Sequence, residues 1–179
     1  MNETIKIKDK TFRLSIPETE IQQAVESVAL RLRKDYEGLN PIFVIVLSGA
    51  FVFASDLLRQ LHFPCKYAFT KLSSYEGVDT TGHIEEQLPV TEDVTGRHVV
   101  IIEDIVDTGY SMQFLINRLR QQKPASVEIC ALSQKPEKCK VEGLTVKYVG
   151  MTLPEAFIVG YGLDYDGEGR ELRSIYSLV

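Results

Sequence analysis

The residues richest in chemistry run from Val99 to Ser111. Four apolar residues, Val99, Val100, Ile101 and Ile102, precede two adjacent acids, Glu103 and Asp104. Asp107, Thr108, Gly109, Tyr110 and Ser111 follow at the start of a helical pattern. Gly109 permits backbone conformations that bring amides close to a ligand, and Thr108 and Ser111 offer hydroxyl donors. A helix start adds free N–H groups and partial positive charge, so this corner makes a cradle for a phosphate monoester. Glu103 and Asp104 would repel that phosphate. They suit neutral hydroxyls, which can donate to them, or a nearby divalent cation. A ligand with a phosphate at one end and a diol at the other satisfies both halves, and a ribose 5-phosphate is such a ligand.

Buried strands must carry this corner. The run Ile42–Leu47 is apolar throughout and rich in β-branched residues, the pattern of a strand covered on both faces, and residues 98–102 and 126–132 read the same way. Helical patterns lie between them. Ile21, Val25, Val28 and Leu32 recur along a helix from Pro17 to about Tyr36, with Glu18 and Glu20 in its first turn. A second helix is expected over residues 51–61, and a third uses Met112, Leu115, Ile116 and Leu119. Residues 5–8, 12–16, 64–70, 146–149 and 157–161 read as further strands, the last two separated by a turn at Leu153 and Pro154. Residues 71–87 are polar, contain two glycines and show little periodicity, so they are expected to form a long functional loop. Interior strands alternating with helices predict an α/β fold with a central, mostly parallel sheet flanked by helices, and ligands outside the carboxyl ends of the strands.

Composition narrows the function classes. At 179 residues, 44% of them hydrophobic and 25% charged, the chain is sized for a single folded domain and is neither collagenous nor disordered. Its longest unbroken apolar run is far short of the roughly 20 residues of a membrane helix. The first residues lack the pattern of a secretory signal, so a cytoplasmic protein without a membrane anchor is expected. Lys+Arg is 20 against 25 for Asp+Glu, a balance that opposes broad nucleic-acid binding. Cys65, Cys130 and Cys139 form no CxxC pair, and His62, His83 and His98 are scattered, so neither a disulfide framework nor a zinc site is indicated. There is no GxxxxGK[ST] sequence, and Gly160-Tyr161-Gly162 begins a GxG without completing a dinucleotide motif.

The complete order from Val99 to Ser111 is similar to the phosphoribosyl-pyrophosphate signature of the type I phosphoribosyltransferases. Over nearly the whole chain the resemblance is to the hypoxanthine(-guanine) phosphoribosyltransferases of bacterial type. It implies the type I fold in one domain over residues 1–179, with a small hood built from about 1–16 and 136–179 and a mobile active-site lid at 71–87. It also implies transfer of 5-phosphoribosyl from its 1-pyrophosphate to N9 of hypoxanthine, and of guanine, giving IMP or GMP and pyrophosphate with Mg²⁺. By the same resemblance Asp107 is the catalytic base, and Glu103 and Asp104 hold the ribose. Asp107, Thr108, Gly109, Tyr110 and Ser111 hold the 5-phosphate. Lys135 would donate to the 6-oxo group of the base, Phe157 would stack on the purine, and Ile158 would offer backbone groups to its edge. Asp164 would lie near the purine 2-position. Ser48, Gly49, Ser74, Tyr75 and Arg170 would contact pyrophosphate, and Glu103, Asp104 and Asp164 would meet magnesium. A homodimer or homotetramer is implied.

One position departs from the family pattern: Ser48 stands where these enzymes usually carry Lys, so any ammonium contact to pyrophosphate or to a second subunit is missing, while backbone contacts can persist. Two other readings stay open. One is a xanthine-preferring phosphoribosyltransferase, and the other a non-catalytic regulator that senses the pyrophosphorylated sugar and binds nucleic acid. The acidic balance and the match to the purine pocket oppose the regulator.

Overall fold

A computed structural model describes residues 3–75, 83–153 and 155–179, with main chain only at Ser74, Tyr75 and His83. The chain runs through β1 (Thr4–Ile7), β2 (Lys10–Ile16), α1 (Glu18–Tyr36), β3 (Ile42–Leu47), α2 (Phe51–Arg59), β4 (Lys66–Tyr75) and β5 (His83–Leu88). It continues through β6 (His98–Val106), α3 (Tyr110–Arg120), β7 (Ser126–Gln134), a 3-10 turn (Pro136–Lys138), β8 (Tyr148–Thr152), β9 (Ile158–Val159) and β10 (Ile175–Leu178).

The apolar strands are buried on both faces because their side chains alternate between two cores. Phe43, Ile45, Val100, Ile102, Cys130 and Leu132 pack with Ile21, Val25, Val28 and Leu32 of α1 and with Phe53 and Leu57 of α2. Their neighbours Ile42, Val44, Val46, Val99, Ile101, Ile129 and Ala131 face the other way, onto Met112, Leu115 and Leu119 of α3. Burying each such large aliphatic side chain contributes about 1.5–3 kcal/mol. The result is helix, sheet, helix in three layers.

Strand order in the six-stranded sheet is β5-β4-β3-β6-β7-β8. From β4 to β8 all pairs are parallel, and only β5 runs antiparallel, against β4. The chain leaves β3 in one direction through β4 and β5, and β6 in the other through β7 and β8, so the order reverses between β3 and β6. Those two strands pair only from Ile42↔Val99 to Ile45↔Ile102. Past Ile102, β6 runs on with β7 alone, and a crevice opens between β6 and the end of β3.

A second sheet, β1-β2-β10-β9, joins both ends of the chain around Phe12, Val159 and Tyr176. It uses residues 4–16 and 158–178, and its strand β10 lies in a segment that carries no strong alternation. The expected hood boundary at 136 falls too early, since Tyr148–Thr152 is β8 of the main sheet. The expected strand at 157–161 contracts to Ile158–Val159.

The reading of 71–87 as one loop is corrected at both flanks. Residues 71–75 extend β4 and residues 83–87 lie in β5, paired from Lys71↔Leu88 to Tyr75↔His83. Polar composition hid them because this hairpin lies at the sheet edge, where only one face needs apolar cover. The remainder of the expected lid, 76–82, lies outside the described residues.

Asp56 of α2 ties the small sheet to the large one. Its Oδ2 accepts from Tyr161 Oη at 2.7 Å and Gln22 Nε2 at 3.1 Å, and its Oδ1 from Arg59 Nη2 at 2.8 Å. Burial would raise the Asp56 pKa, but hydrogen bonds from Tyr161, Gln22 and Arg59 outweigh it and hold the carboxyl below its ordinary value. A depressed carboxylate stabilises the fold above its unfolded pKa and loses that contribution as pH falls through the folded one. Asp56→Ala should therefore cost about 1–3 kcal/mol at neutral pH, by leaving the Tyr161 hydroxyl unpaired. Urea unfolding at neutral pH and again below about pH 4 checks this, and the gap from wild type should narrow on the acid side.

Candidate active site

Two hollows open at the carboxyl edge of the sheet and share a wall. The larger, about 590 Å³, is lined by Gly49, Glu103, Asp104, Asp107, Lys135, Phe157, Ile158, Asp164 and Arg170 among others. The smaller, about 290 Å³, is lined by residues 103–109 with Ser111 and Met112. Glu103, Asp104, Ile105 and Asp107 line both. A ligand with two dissimilar ends would straddle these acids.

The acids lie within β6, which runs past the expected strand end at Ile102 and continues to Val106. Both are buried. Glu103 Oε1 accepts the Asp104 N–H at 3.0 Å, and Asp104 Oδ1 accepts the Ile105 N–H at 2.7 Å. Burial raises both pKa values, and Glu103 is raised furthest because the charge of Asp104 adds to its burial. Hydrogen bonds from its neighbours and the positive charge of Arg170 work the other way at Asp104. Charge on the pair is therefore disfavoured, and hydroxyl donors or a cation would offset that cost.

Asp104 continues the alternation of Ile102 and meets the turn after β3. The Leu47–Ser48 peptide there is cis. A Cβ on Gly49 would lie 1.7 Å from Asp104 Oδ2, and one on Gly162 would lie 2.2 Å from the Gly49 carbonyl oxygen. Three segments thus stack through bare backbone: the turn at 160–163, the turn at 48–50, and the acid strand. Arg170 closes the stack, donating from Nη1 to the Gly162 carbonyl at 2.6 Å and pairing through Nη2 with Asp164 Oδ1 at 2.6 Å. The other oxygen of Asp164 accepts the Gly167 N–H at 2.7 Å.

Gly109, at φ 86°, occupies the N-cap of α3 in the left-handed region that other residues avoid. It turns β6 into α3, whose first-turn residues Ser111 and Met112 line the smaller hollow, and the first amides of a helix have no partner within it. The Lys140 N–H bonds the Thr108 carbonyl at 2.9 Å, fixing the turn from behind. Tyr110 begins the helix with its ring exposed, so its main chain rather than its ring belongs to the cradle.

Asp107 projects between the hollows. Its Oδ2 lies 3.7 Å from Lys138 Nζ, while its Oδ1 is buried with no hydrogen-bond partner among the described residues. A buried carboxylate oxygen without a donor is a ready proton acceptor. Lys135, at the end of β7, is buried and donates from Nζ to the Ala156 carbonyl at 2.6 Å. Burial lowers its pKa, Lys138 adds to the effect, and Asp107 and Glu155 oppose it. One donor is committed to Ala156, leaving the ammonium two more for a ligand.

The larger hollow gathers Gly49, Glu103, Asp104, Asp107, Lys135, Phe157, Ile158, Asp164 and Arg170, all expected from the sequence. Ser48 adjoins Gly49 without lining it. Ser74 and Tyr75 end β4 opposite Ile84 and His83, and their side chains lie outside the described residues. Lys138 and Glu155 line the hollow and were not foreseen. The spacing of Lys138 three residues after Lys135, across Pro136, was a usable signal, since both fall on one tight turn. Asp164 is committed to Arg170 and Gly167 rather than grouped with Glu103 and Asp104. Among the described residues, no cluster of three or more His, Cys, Asp or Glu could hold a metal unaided. Adjacent buried acids without a full cage suit Mg²⁺, which commonly binds through one or two carboxylates plus substrate phosphates.

Comparison with known proteins agrees with this geometry. Residues 17–166 match the phosphoribosyl transferase domain family, and the chain belongs to it. Within it, the chain is 37% identical to the hypoxanthine-guanine phosphoribosyltransferase of Streptococcus pneumoniae over 164 residues, 91% of each protein. It is 35% identical to the hypoxanthine-guanine-xanthine phosphoribosyltransferase of Tritrichomonas foetus over 175 residues, 98% of this chain and 95% of the relative. A crystal structure of a Bacillus anthracis hypoxanthine-guanine phosphoribosyltransferase superposes with a TM-score of 0.87 at 37% identity, covering 97% of this chain and 98% of that one.

The stacked glycines generate a direct prediction. Gly49→Ala should force the Asp104 carboxylate off its bond to Ile105 and, by displacing a ligand-holding group by about 1 Å, lower kcat/KM by about 10²-fold. Steady-state rates with a folded variant, verified by thermal melting, check this.

Proposed function

We propose that the protein transfers the 5-phosphoribosyl group from 5-phosphoribosyl 1-pyrophosphate to N9 of hypoxanthine and guanine, forming IMP or GMP and pyrophosphate in purine salvage. The shared wall of acids carries the proposal, because it lies between a helix-start anion cradle and a cleft with an aromatic face and a buried lysine.

Each half of the ligand has its reason to bind. The 5-phosphate meets the amides and hydroxyls of Thr108, Gly109, Tyr110 and Ser111, and the ribose hydroxyls donate to Glu103 and Asp104. The purine stacks on Phe157, which is 49% exposed where most large apolar side chains are buried. Main-chain groups of Ile158 border the base edge. Lys135 donates to the 6-oxo oxygen and rejects adenine, whose 6-amino group is itself a donor.

Departure of pyrophosphate leaves positive charge on the sugar, as in glycoside hydrolysis. Arg170, the amides at Ser48 and Gly49, and donors of Ser74 and Tyr75 take up the charge of the leaving group. Mg²⁺ held at Glu103 and Asp104 would supply additional positive charge against the pyrophosphate. Asp107 accepts the proton at N7 through its unpartnered Oδ1 as N9 attacks, and its charge stabilises the cationic sugar. The segment between β4 and β5 serves as a lid that keeps water from that sugar.

A homodimer or homotetramer is the assembly we infer, and the apolar groove of Phe51, Tyr67 and Phe69 is a surface it would cover. No helix among the described residues is long and apolar enough to cross a membrane. Xanthine is the second base to test, because the Tritrichomonas foetus relative is named for it as well.

Asp107→Asn should lower kcat by about 10²–10⁴-fold while ribose 5-phosphate still binds. Wild-type turnover in this variant would remove Asp107 from the base role. Initial rates with hypoxanthine, guanine, xanthine and adenine test the lysine: adenine should be slower than hypoxanthine by about 10²-fold or more. Equal rates would contradict the assignment of Lys135.

A further inference from the structure

Phe157 stands half in solvent, and two other aromatic rings back it. Phe12 of β2, fully buried, lies 6.3 Å from it centroid to centroid. Tyr165 lies 5.9 Å away at an interplanar angle of 88°, an edge-to-face pair, and is 6.0 Å from Phe12. Tyr165 is in turn held from the hairpin between β1 and β2. Its hydroxyl bonds Asp9 Oδ1 at 3.0 Å, and Lys10 Nζ sits 5.1 Å from its ring centroid. One residue further on, Asp166 pairs with Lys8. The N-terminal hairpin therefore grips the 164–168 turn at successive residues, and that turn presents Tyr165 to Phe157.

We propose that Tyr165 is a positioning residue for the purine, fixing the plane of Phe157 through their edge-to-face contact and taking its own place from Asp9 and Lys10. It acts through Phe157 and touches no reacting atom. This rests on the reading of Phe157 as the base platform and adds the claim that the platform's orientation is set from the N-terminal hairpin. The physical reason is rotational. A ring exposed on one face and packed at one point can tilt, and a tilted ring loses stacking with a flat base. A second contact at a right angle removes that freedom.

Tyr165→Leu and Tyr165→Met remove the ring but keep apolar bulk, Tyr165→Phe keeps the ring, and Phe157→Leu serves as the reference. With hypoxanthine as the varied substrate, the Leu and Met variants should raise its KM about two- to tenfold, the range of one aromatic pair. KM for the sugar donor and kcat should stay near wild type, and Tyr165→Phe, which keeps the ring but loses the bond to Asp9, should raise the base KM by less than the Leu and Met variants do. A merely structural role would instead lower the active fraction, and so kcat, with KM for the base unmoved. If Phe157→Leu raises the base KM while the Leu and Met variants leave it unchanged, the positioning role is overturned and the platform stands. If Phe157→Leu leaves the base KM unchanged, the platform reading and this proposal fall together.

Discussion

Two carboxylates side by side inside a buried strand set the terms for the rest of this structure. Taking charges out of water costs several kcal/mol per ion unless something nearby compensates. Glu103 and Asp104 receive backbone N–H groups and the field of Arg170, and these do not suffice, so the pair's pKa values rise. Hydroxyl donors and a divalent cation are what would relieve it. The sheet places the pair where it must be reached, because β3 parts from β6 at Ile102, one residue before the acids begin.

The surrounding glycines follow from that arrangement. The acid strand, the turn at 48–50 and the turn at 160–163 approach so closely that neither Gly49 nor Gly162 has room for a Cβ. Arg170 bridges from one side of this stack to Asp164 on the turn that also supports Phe157 through Tyr165. Phe157 and Arg170 are therefore parts of one loop system, anchored on the main sheet at Asp56 and on the N-terminal hairpin at Asp9. Contacts between residues this far apart in sequence explain why both chain ends share one small sheet.

Legibility in the sequence tracked the length scale of the interaction. The strands around Val44, Val100 and Ile129 were readable because burial on both faces leaves an unbroken apolar run, and α1 because Ile21, Val25, Val28 and Leu32 keep helical spacing. The corner from Glu103 to Ser111 was readable because it is contiguous. The edge hairpin of β4 and β5 was hidden, since its polar residues look like a loop until their ladder is seen. Lys138 beside Asp107, Tyr165 behind Phe157 and Asp56 beneath Tyr161 were hidden for another reason. Their roles lie in tertiary partners that no local pattern encodes.

A crystal structure with IMP tests the ligand pose most directly. The phosphate should lie at the N-terminus of α3 against Thr108, Gly109 and Ser111, with the ribose hydroxyls on Glu103 and Asp104 and the purine flat on Phe157. A phosphate bound elsewhere, with Glu103 and Asp104 facing no hydroxyl, would contradict it.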